Sequence, residues 1–505
     1  MIKNFKWLLL VSLAFVACNN NDEEVIVYNT SDGLPPTAGT ANFSKFVTLG
    51  NSLTSGYADN ALFIEGQKAS YVNILAQQFK LVGGGEFKIP FMADNIGGFK
   101  INGTQFAGPR MASTGGQAPV PVSGTPSTEI MTSIAAAGPY NNCGVPGAKS
   151  FHLLSPSYGS PAGIGSTANP YYVRFAPNAT TSVLAYAMSQ TPTFFSLWIG
   201  NNDVLGYAAS GGDGSDPITP SAGVAGVGFD ATYDALVNTL TSAGAKGVIG
   251  NIPYVNTIPF FTTVPTNPVP LNATQVGQLN PLFKAMNDML AFAGQPARFQ
   301  TLTATSTNPL LIADEMLAFD ATALYTGGFT QAGYPAATAA FLGNLYGKAR
   351  HASSATASKD YILLTARSLI GATQPGYPAT NNTIGVTFPM QDNTTLTASE
   401  TALVKAATDA YNAKIKGVAT AKGLAFVDTN AVMNQVSNGG ISANGFTVTG
   451  AYITGGGFST DGVHLSPRGY ALIANKFIEA INATYGSNLK GVDLGNYRVL
   501  FPKTL

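Results

Sequence analysis

Charge is scarce in this chain. Only 10% of its 505 residues are Asp, Glu, Lys or Arg, whereas roughly 25% is ordinary for a soluble domain. The 26 basic and 26 acidic residues cancel. A nucleic-acid footprint needs a basic patch, so this balance argues against nucleic acid as a partner. Cysteine is rarer still, with Cys18 and Cys143 alone, and one disulfide is the most the chain could form. Histidine occurs only at His152, His351 and His464. Beyond the N-terminus there is no run of about 18 apolar residues, so no second membrane anchor is expected. Glycine and proline are plentiful, at 56 and 30 residues, and imply many turns and long loops. Hydrophobic residues reach 45%, enough to bury a large core and to exclude wholesale disorder. At roughly 150 residues per domain the length allows about three domains, although one decorated α/β domain absorbs much of it.

The N-terminus accounts for a neutral composition of the kind found in exported proteins. Lys3 and Lys6 precede an apolar stretch from Trp7 to Val16, too short to span a bilayer comfortably. It ends at Phe15-Val16-Ala17-Cys18, which resembles the lipobox of bacterial lipoproteins, with Phe15 where Leu is usual. The alternative is an ordinary secretory signal with a chance cysteine. The resemblance implies that residues 1–17 are removed and that Cys18 is acylated. Asn19 to Glu24 form a polar, acidic start that resembles the surface-export signal of Bacteroidetes lipoproteins. An outer-membrane lipoprotein exposed at the cell surface is therefore expected, with 18–42 as an anchored tether. A lipidated Cys18 would leave Cys143 without a partner, and stability would then rest on core burial alone.

Further along, strand-like and helical patterns alternate. Lys45 to Leu49, Thr193 to Ile199, Val248 to Ile252 and Leu424 to Asp428 are short apolar runs, as expected of strands buried on both faces. Between them, residues 69–80 and 230–243 place apolar side chains on one helical face. Asn280-Pro281 reads as a helix start. Thr397-Ala398-Ser399-Glu400 is a capping box, and Ser466-Pro467 opens a last helix. Residues 82–140 and 295–385 read as irregular insertions. Strands alternating with amphipathic helices predict an α/β fold, a three-layer α/β/α sandwich around one parallel sheet with two large loop insertions. Low charge and abundant glycine could also suggest a membrane β-barrel, but the helical periods contradict that.

Ligands of such sheets bind at the carboxyl ends of the strands. After the first predicted strand comes Gly50-Asn51-Ser52-Leu53-Thr54-Ser55-Gly56. A serine in a tight turn there exposes its hydroxyl beside free backbone N–H groups, although a plain Gly/Ser turn has the same composition. Gly200-Asn201-Asn202-Asp203 follows the next strand; Asn202 offers an amide donor or simply closes an Asx turn. Asn142-Cys143-Gly144-Val145-Pro146-Gly147 reads as a glycine turn whose Gly147 N–H could meet a ligand. Asp461-Gly462-Val463-His464 puts a carboxylate three positions from an imidazole, ahead of a capped helix. Metal binding is the competing role for that pair, but no other His or Cys stands at a matching spacing. His152 and His351 lack acidic neighbours within four residues and are expected to be surface or packing residues. Cys143 is either a buried small hydrophobe or a reactive thiol.

Taken in order, Gly50-Asn51-Ser52-Leu53, Gly147, Gly200-Asn201-Asn202-Asp203 and Asp461-x-x-His464 resemble the SGNH, or GDSL-type, hydrolase family. The resemblance covers about 43–80, 140–260 and 395–485. It implies a flavodoxin-like fold over 43–490, with 491–505 as a tail. It also implies a serine ester hydrolase: Ser52 as nucleophile, His464 as general base, Asp461 as its orienting partner. Ser52 and Gly147 N–H groups and the Asn202 amide would form the oxyanion hole. No metal or organic cofactor is implied, and a monomer is expected. The family usually has Asp before the serine, where this chain has Asn51. A Gly-x-Ser-x-Gly elbow is absent. External lipid or acylated carbohydrate esters are the expected substrates, with Ile258 to Phe261 either lining an acyl pocket or filling core. A catalytically idle surface-binding protein on the same scaffold is the alternative.

Overall fold

A computed structural model describes residues 32–114 and 116–505. The predicted signal peptide and Cys18 lie outside the described residues. Five parallel strands form the central sheet: β1 (Phe46–Gly50), β2 (Asn142–Gly144), β3 (Phe194–Trp198), β4 (Lys246–Gly250) and β5 (Ala425–Val427). Their order is β2-β1-β3-β4-β5, which puts the topological switch between β1 and β3. Leu49 lies opposite Cys143 on one side and Leu197 on the other. Every residue of β1 and β3 is buried, as their unbroken apolar runs require.

β2 corrects the sequence reading. Asn142-Cys143-Gly144 is an edge strand paired with β1, not part of a glycine turn. With one apolar side chain in three residues, it carries no period to read. Gly144 must be bare: a Cβ there would lie 2.5 Å from the Ser55 nitrogen and 2.7 Å from the Thr54 carbonyl carbon. This strand therefore packs directly on the turn that follows β1.

The helices used below are α1 (Ser52–Ser55), α2 (Tyr71–Lys80), α3 (Asn202–Ala209), α4 (Phe229–Thr241), α5 (Ala273–Phe292), α6 (Thr322–Gln331), α7 (Ala336–Tyr346), α8 (Ala398–Lys422), α9 (Thr429–Ser437) and α10 (Pro467–Tyr485). Ser466 caps α10, and Thr397 with Glu400 forms the predicted capping box of α8. The main core joins α2, β3 and α10 through Tyr71, Trp198 and Phe477, whose ring centres are 5.4 and 5.8 Å apart in that order.

The second predicted insertion is not irregular. Residues between Val264 and Met390 build a separate apolar core from α5, α6, α7 and an antiparallel pair, Leu311–Ala313 with Ala349–His351. Phe283, Met286, Tyr325 and Tyr346 are buried there. Alanine, glycine and threonine make up 12 of the 21 residues of α6 and α7, so their apolar faces are too faint to register in sequence. α5 also begins earlier than predicted. Asn272 and Gln275 cap it reciprocally, each at 2.9 Å, and Pro281 lies inside the helix. Asn280 instead holds the Leu302 backbone through both amide atoms. Arg350 ties the second core to the first. It bonds Asp314 at 2.5 Å and Asp360 at 2.6 Å, and Asp360 accepts the Ala398 N–H at the start of α8.

The first insertion holds two short hairpins, Phe99–Ile101 with Thr104–Ala107 and Met111–Ala112 with Val120–Pro121. Neither end of the described chain is loose. The Thr40 N–H donates to Tyr485 O at 2.8 Å, so the tether region is packed from about residue 40. In the predicted tail, Phe501 stacks edge-on against Phe63 at 4.9 Å. Among the described residues no helix is long and apolar enough to cross a membrane.

Gly144→Ala should destabilise the fold by about 1–3 kcal/mol, since its methyl group meets backbone that cannot yield. Thermal melting checks this, and an unchanged midpoint would mean that the β2 edge moves freely against α1.

Candidate active site

The carboxyl edges of β1 and β3 deliver the central side chains. Asn51 caps α1, its Oδ1 accepting the Leu53 N–H at 3.0 Å, and this makes Ser52 the first helical residue. Its own N–H belongs to the first turn of a helix, where no intrahelical acceptor exists. The Ser52 hydroxyl oxygen stands 2.8 Å from Nε2 of His464, and Nδ1 of that ring stands 2.9 Å from Oδ2 of Asp461. Asp461 also accepts the Val463 and His464 N–H groups on Oδ1, at 2.9 and 2.8 Å, and the Asn60 N–H on Oδ2 at 2.9 Å. Burial opposes its ionisation, but the His464 ring and these N–H donors together hold its carboxyl below the usual range. An ionised Asp461 can only accept, so Nδ1 carries the hydrogen and Nε2 is free to take the Ser52 proton.

The predicted donor residues Gly147 and Asn202 follow β2 and β3. Asn202 opens α3, and its amide gives one N–H to Ala148 O at 2.9 Å, which leaves the other for a ligand. Gly147 has φ +78, and a Cβ added there would meet no heavy atom within 4 Å; the glycine serves the backbone conformation, not a tight fit. Val145 N–H donates to Gly50 O at 3.0 Å and so fixes this turn to the end of β1. Ser52, Asn202 and His464 line one cleft. Gly147 is not among its walls and connects to them through Ala148.

Most of the remaining walls are apolar, Trp198, Leu205, Ile252, Val255, Ile258 and Met433 among them, with Asn51, Asn201 and Tyr254 the polar exceptions. Of the predicted Ile258 to Phe261 stretch only Ile258 reaches the cleft. Phe261 is core, and the Phe260 N–H donates to Gly462 O at 2.9 Å, bracing the Asp461 loop. Met433, on α9, could not be foreseen, since nothing in its local pattern marks it.

Asp203 is a supporting residue that sequence reasoning passed over. It accepts the Ser150 N–H at 2.8 Å and the Ser150 hydroxyl at 2.7 Å, locking α3 to the segment after Gly147. Burial pushes its carboxyl up to about 6 despite those bonds. An acidic residue inside a motif of a charge-poor chain was the available signal. Asn51 donates to Asn201 Oδ1 at 3.1 Å, so the residue that departs from the family pattern joins the β1 and β3 turns. His152 and His351 lie elsewhere, each accepting a backbone N–H on Nδ1. Burial lowers both to about 4. Cys143 is wholly buried in β2, and burial pushes its thiol up to about 12, so it packs as a small hydrophobe.

Comparison with protein-family models, with curated proteins and with solved structures gives no match to this chain.

A carboxyl whose folded pKa is depressed stabilises the fold above its unfolded value, about 3.9, and loses that contribution as pH falls through the folded value. Asp461→Asn should therefore melt below wild type at pH 7, with the gap narrowing below about pH 4. A gap that persists unchanged in acid would show that Asp461 does not exchange a charge interaction on folding.

Proposed function

We propose that this protein is a serine-dependent ester hydrolase of the SGNH type, acting through an acyl-enzyme on Ser52. The hydrogen-bonded relay from Ser52 through His464 to Asp461 carries this reading. Its order matches what a nucleophile, a base and an orienting carboxylate need, with each gap within hydrogen-bond reach. In the proposed reaction, Ser52 Oγ attacks the ester carbonyl while Nε2 of His464 takes its proton. The tetrahedral intermediate then collapses, and His464 gives that proton to the departing alkoxide. Water, deprotonated by His464, then attacks the acyl-enzyme carbonyl; the second tetrahedral intermediate breaks the bond to Ser52 Oγ, His464 returns the proton to that oxygen, and the acid is released.

Charge on the carbonyl oxygen develops fully only near the transition state. The proposed donors to it are the N–H groups of Ser52 and Gly147 and the second N–H of Asn202. The cleft's apolar walls favour an acyl group with a hydrocarbon chain over a bare acetyl group. The intact relay supports hydrolysis over an idle binding scaffold. The strand order β2-β1-β3-β4-β5 supports the finer architecture we infer, a doubly wound, flavodoxin-like three-layer sandwich. We place the protein at the outer membrane through acylated Cys18, a reading that rests on the residues around that cysteine.

Ser52→Ala should abolish ester turnover without lowering the thermal midpoint, and a fluorophosphonate should label wild type at Ser52. Turnover that survives in Ser52→Ala refutes the assignment. Asn202→Ala should lower kcat by about 10²–10³ with a smaller effect on KM. Because Asn202 also holds Ala148, kcat is read on phosphonate-titrated enzyme beside its melting point; a value within about threefold of wild type would remove the amide from the oxyanion role. Separately, Cys18→Ser protein should leave the membrane fraction with unchanged specific activity, and continued sedimentation would exclude lipid on Cys18.

A further inference from the structure

The Asp461 loop is tied within itself, by the Ser459 N–H to His464 O at 2.8 Å and the Gly462 N–H to Ser459 O at 3.0 Å, and it is also tied from outside. Its outer oxygen, Oδ2, receives two N–H groups, one from the His464 ring and one from the Asn60 backbone. The direction of the Asn60 N–H is set by a tight turn over 57–61, in which Ala58 and Ala61 exchange backbone bonds at 3.1 and 2.9 Å. That turn begins on the nucleophile helix, where the Tyr57 N–H donates to Ser52 O at 3.0 Å. Asp59 and Asn60 both have left-handed backbone, at φ 53 and 64. Asp and Asn tolerate this better than most residues, but two in succession persist only where the surroundings hold them.

Asp59 supplies that hold. Its N–H donates to Ser459 Oγ at 3.0 Å, and its Oδ1 accepts both the N–H and the hydroxyl of Thr460, at 3.1 and 2.8 Å. Three bonds thus staple residue 59 to the two residues before Asp461. The other carboxylate oxygen, Oδ2, is buried with no hydrogen-bond donor and faces Nη1 of Arg110 at 3.7 Å. Both side chains are 1% exposed. Arg110 belongs to the 82–140 insertion and is itself fixed by the Asn95, Pro502 and Lys503 carbonyls, at 3.0, 2.6 and 3.1 Å. Breaking a buried pair by removing one member leaves an uncompensated charge, a costly outcome. The pair is therefore a built element that joins the insertion and the C-terminal segment to the Asp461 loop.

We propose that Asp59 is the positioning residue for Asp461, and that Arg110 is the buried cation that balances it. The proposal rests on the hydrolase reading. Asp59 touches neither Ser52 nor His464; it acts by setting where the Asn60 N–H and the 459–461 backbone stand. Burial pushes the Asp59 carboxyl up to about 6, with the Thr460 bonds and Arg110 opposing and Asp461 adding to the rise. The insertion and the chain end thereby acquire a role in catalysis without reaching the substrate.

The test compares Asp59→Ala with Asp59→Asn, which keeps the Oδ1 acceptor. Two readouts apply: steady-state kinetics on phosphonate-titrated enzyme, and the downfield NMR resonance of the Nδ1 proton that His464 shares with Asp461. Asp59→Ala should lose about ten- to a hundredfold in kcat, the range a small misplacement costs, with KM within about twofold. Its Nδ1 resonance should shift or broaden, and Asp59→Asn, which keeps the acceptor for Thr460 but leaves Arg110 without its counter-charge, should fall between Asp59→Ala and wild type in both. Asp59→Ala with wild-type kcat and an unmoved resonance overturns the proposal, as does an Asp59→Asn protein no better than Asp59→Ala. Should Asp59→Ala fail to fold, Thr460→Val removes the hydroxyl half of the same staple and is read instead; an unmoved resonance and kcat there overturn it equally. Wild type that cleaves no ester defeats the hydrolase reading instead. The resonance needs no substrate and still tests the positioning.

Discussion

Ser52 and His464 stand 412 positions apart in the chain and meet at 2.8 Å. Almost every other feature of the site exists to keep that contact. One partner hangs on the end of β1 and the other on the loop that enters α10, so the sheet must bring the beginning and the end of the fold to one edge. A parallel sheet does this because every strand ends on the same side. The switch between β1 and β3 then leaves a crevice where the loops diverge, and Ser52 and Asn202 occupy its two sides. The Val145–Gly50 bond, the Asp203–Ser150 bonds and the Asn51–Asn201 bond cross between these loops. Each fixes one donor or acceptor relative to Ser52.

Charge scarcity gives this arrangement its character. The buried ionisable groups near the site are few, and each has defined partners. Asp461 has four N–H groups counting the His464 ring, Asp203 has Ser150, and Asp59 has Thr460 and Arg110. Further out, Arg350 lies between Asp314 and Asp360. The interior cannot screen a charge, so a carboxylate placed there without donors would protonate. Asp461 stays ionised because its donors are numerous and preset, and an ionised Asp461 is what fixes the His464 tautomer. The geometry of the loop and the electrostatics of the ring are thus one problem.

Much of this was legible in sequence because it is local. The apolar runs of β1 and β3 have no period to mistake, and the helix caps at Thr397 and Ser466 depend on neighbours three positions away. Ser52, Asn202, Asp461 and His464 were recognisable because each sits just past a strand or just before a capped helix. What stayed hidden depends on distant partners. β2 is a strand only because β1 offers it hydrogen bonds, since Asn142-Cys143-Gly144 has no strand pattern of its own. Pro281 looked like a helix start, yet the Asn272–Gln275 box lies upstream and the helix accommodates the proline. The second core drew on Tyr325 and Tyr346 from segments whose surroundings read as loop, and on Met286 from the helix expected after Pro281. Asp59 and Arg110 are unremarkable in sequence, and only the fold shows that they face each other.

Asn51 shows how a departure from a pattern can be absorbed. The residue is buried, at 1% exposure. Its Oδ1 caps the Leu53 N–H, a bond that a carboxylate would make equally well. Its Nδ2 donates to Asn201 Oδ1, and a carboxylate has no hydrogen to offer there. An aspartate at this position would require Asn201 to turn its amide and present nitrogen instead of oxygen. Asn201 directly precedes Asn202, so the amide pair at 51 and 201 holds the β3 turn without charge. A buried carboxylate would also place a second negative charge on the Ser52 turn, where the proposed chemistry builds an oxyanion. The neutral pair avoids that repulsion while keeping the cap that makes Ser52 the first residue of its helix. The turn thus needs the acceptor at position 51, and the charge is dispensable.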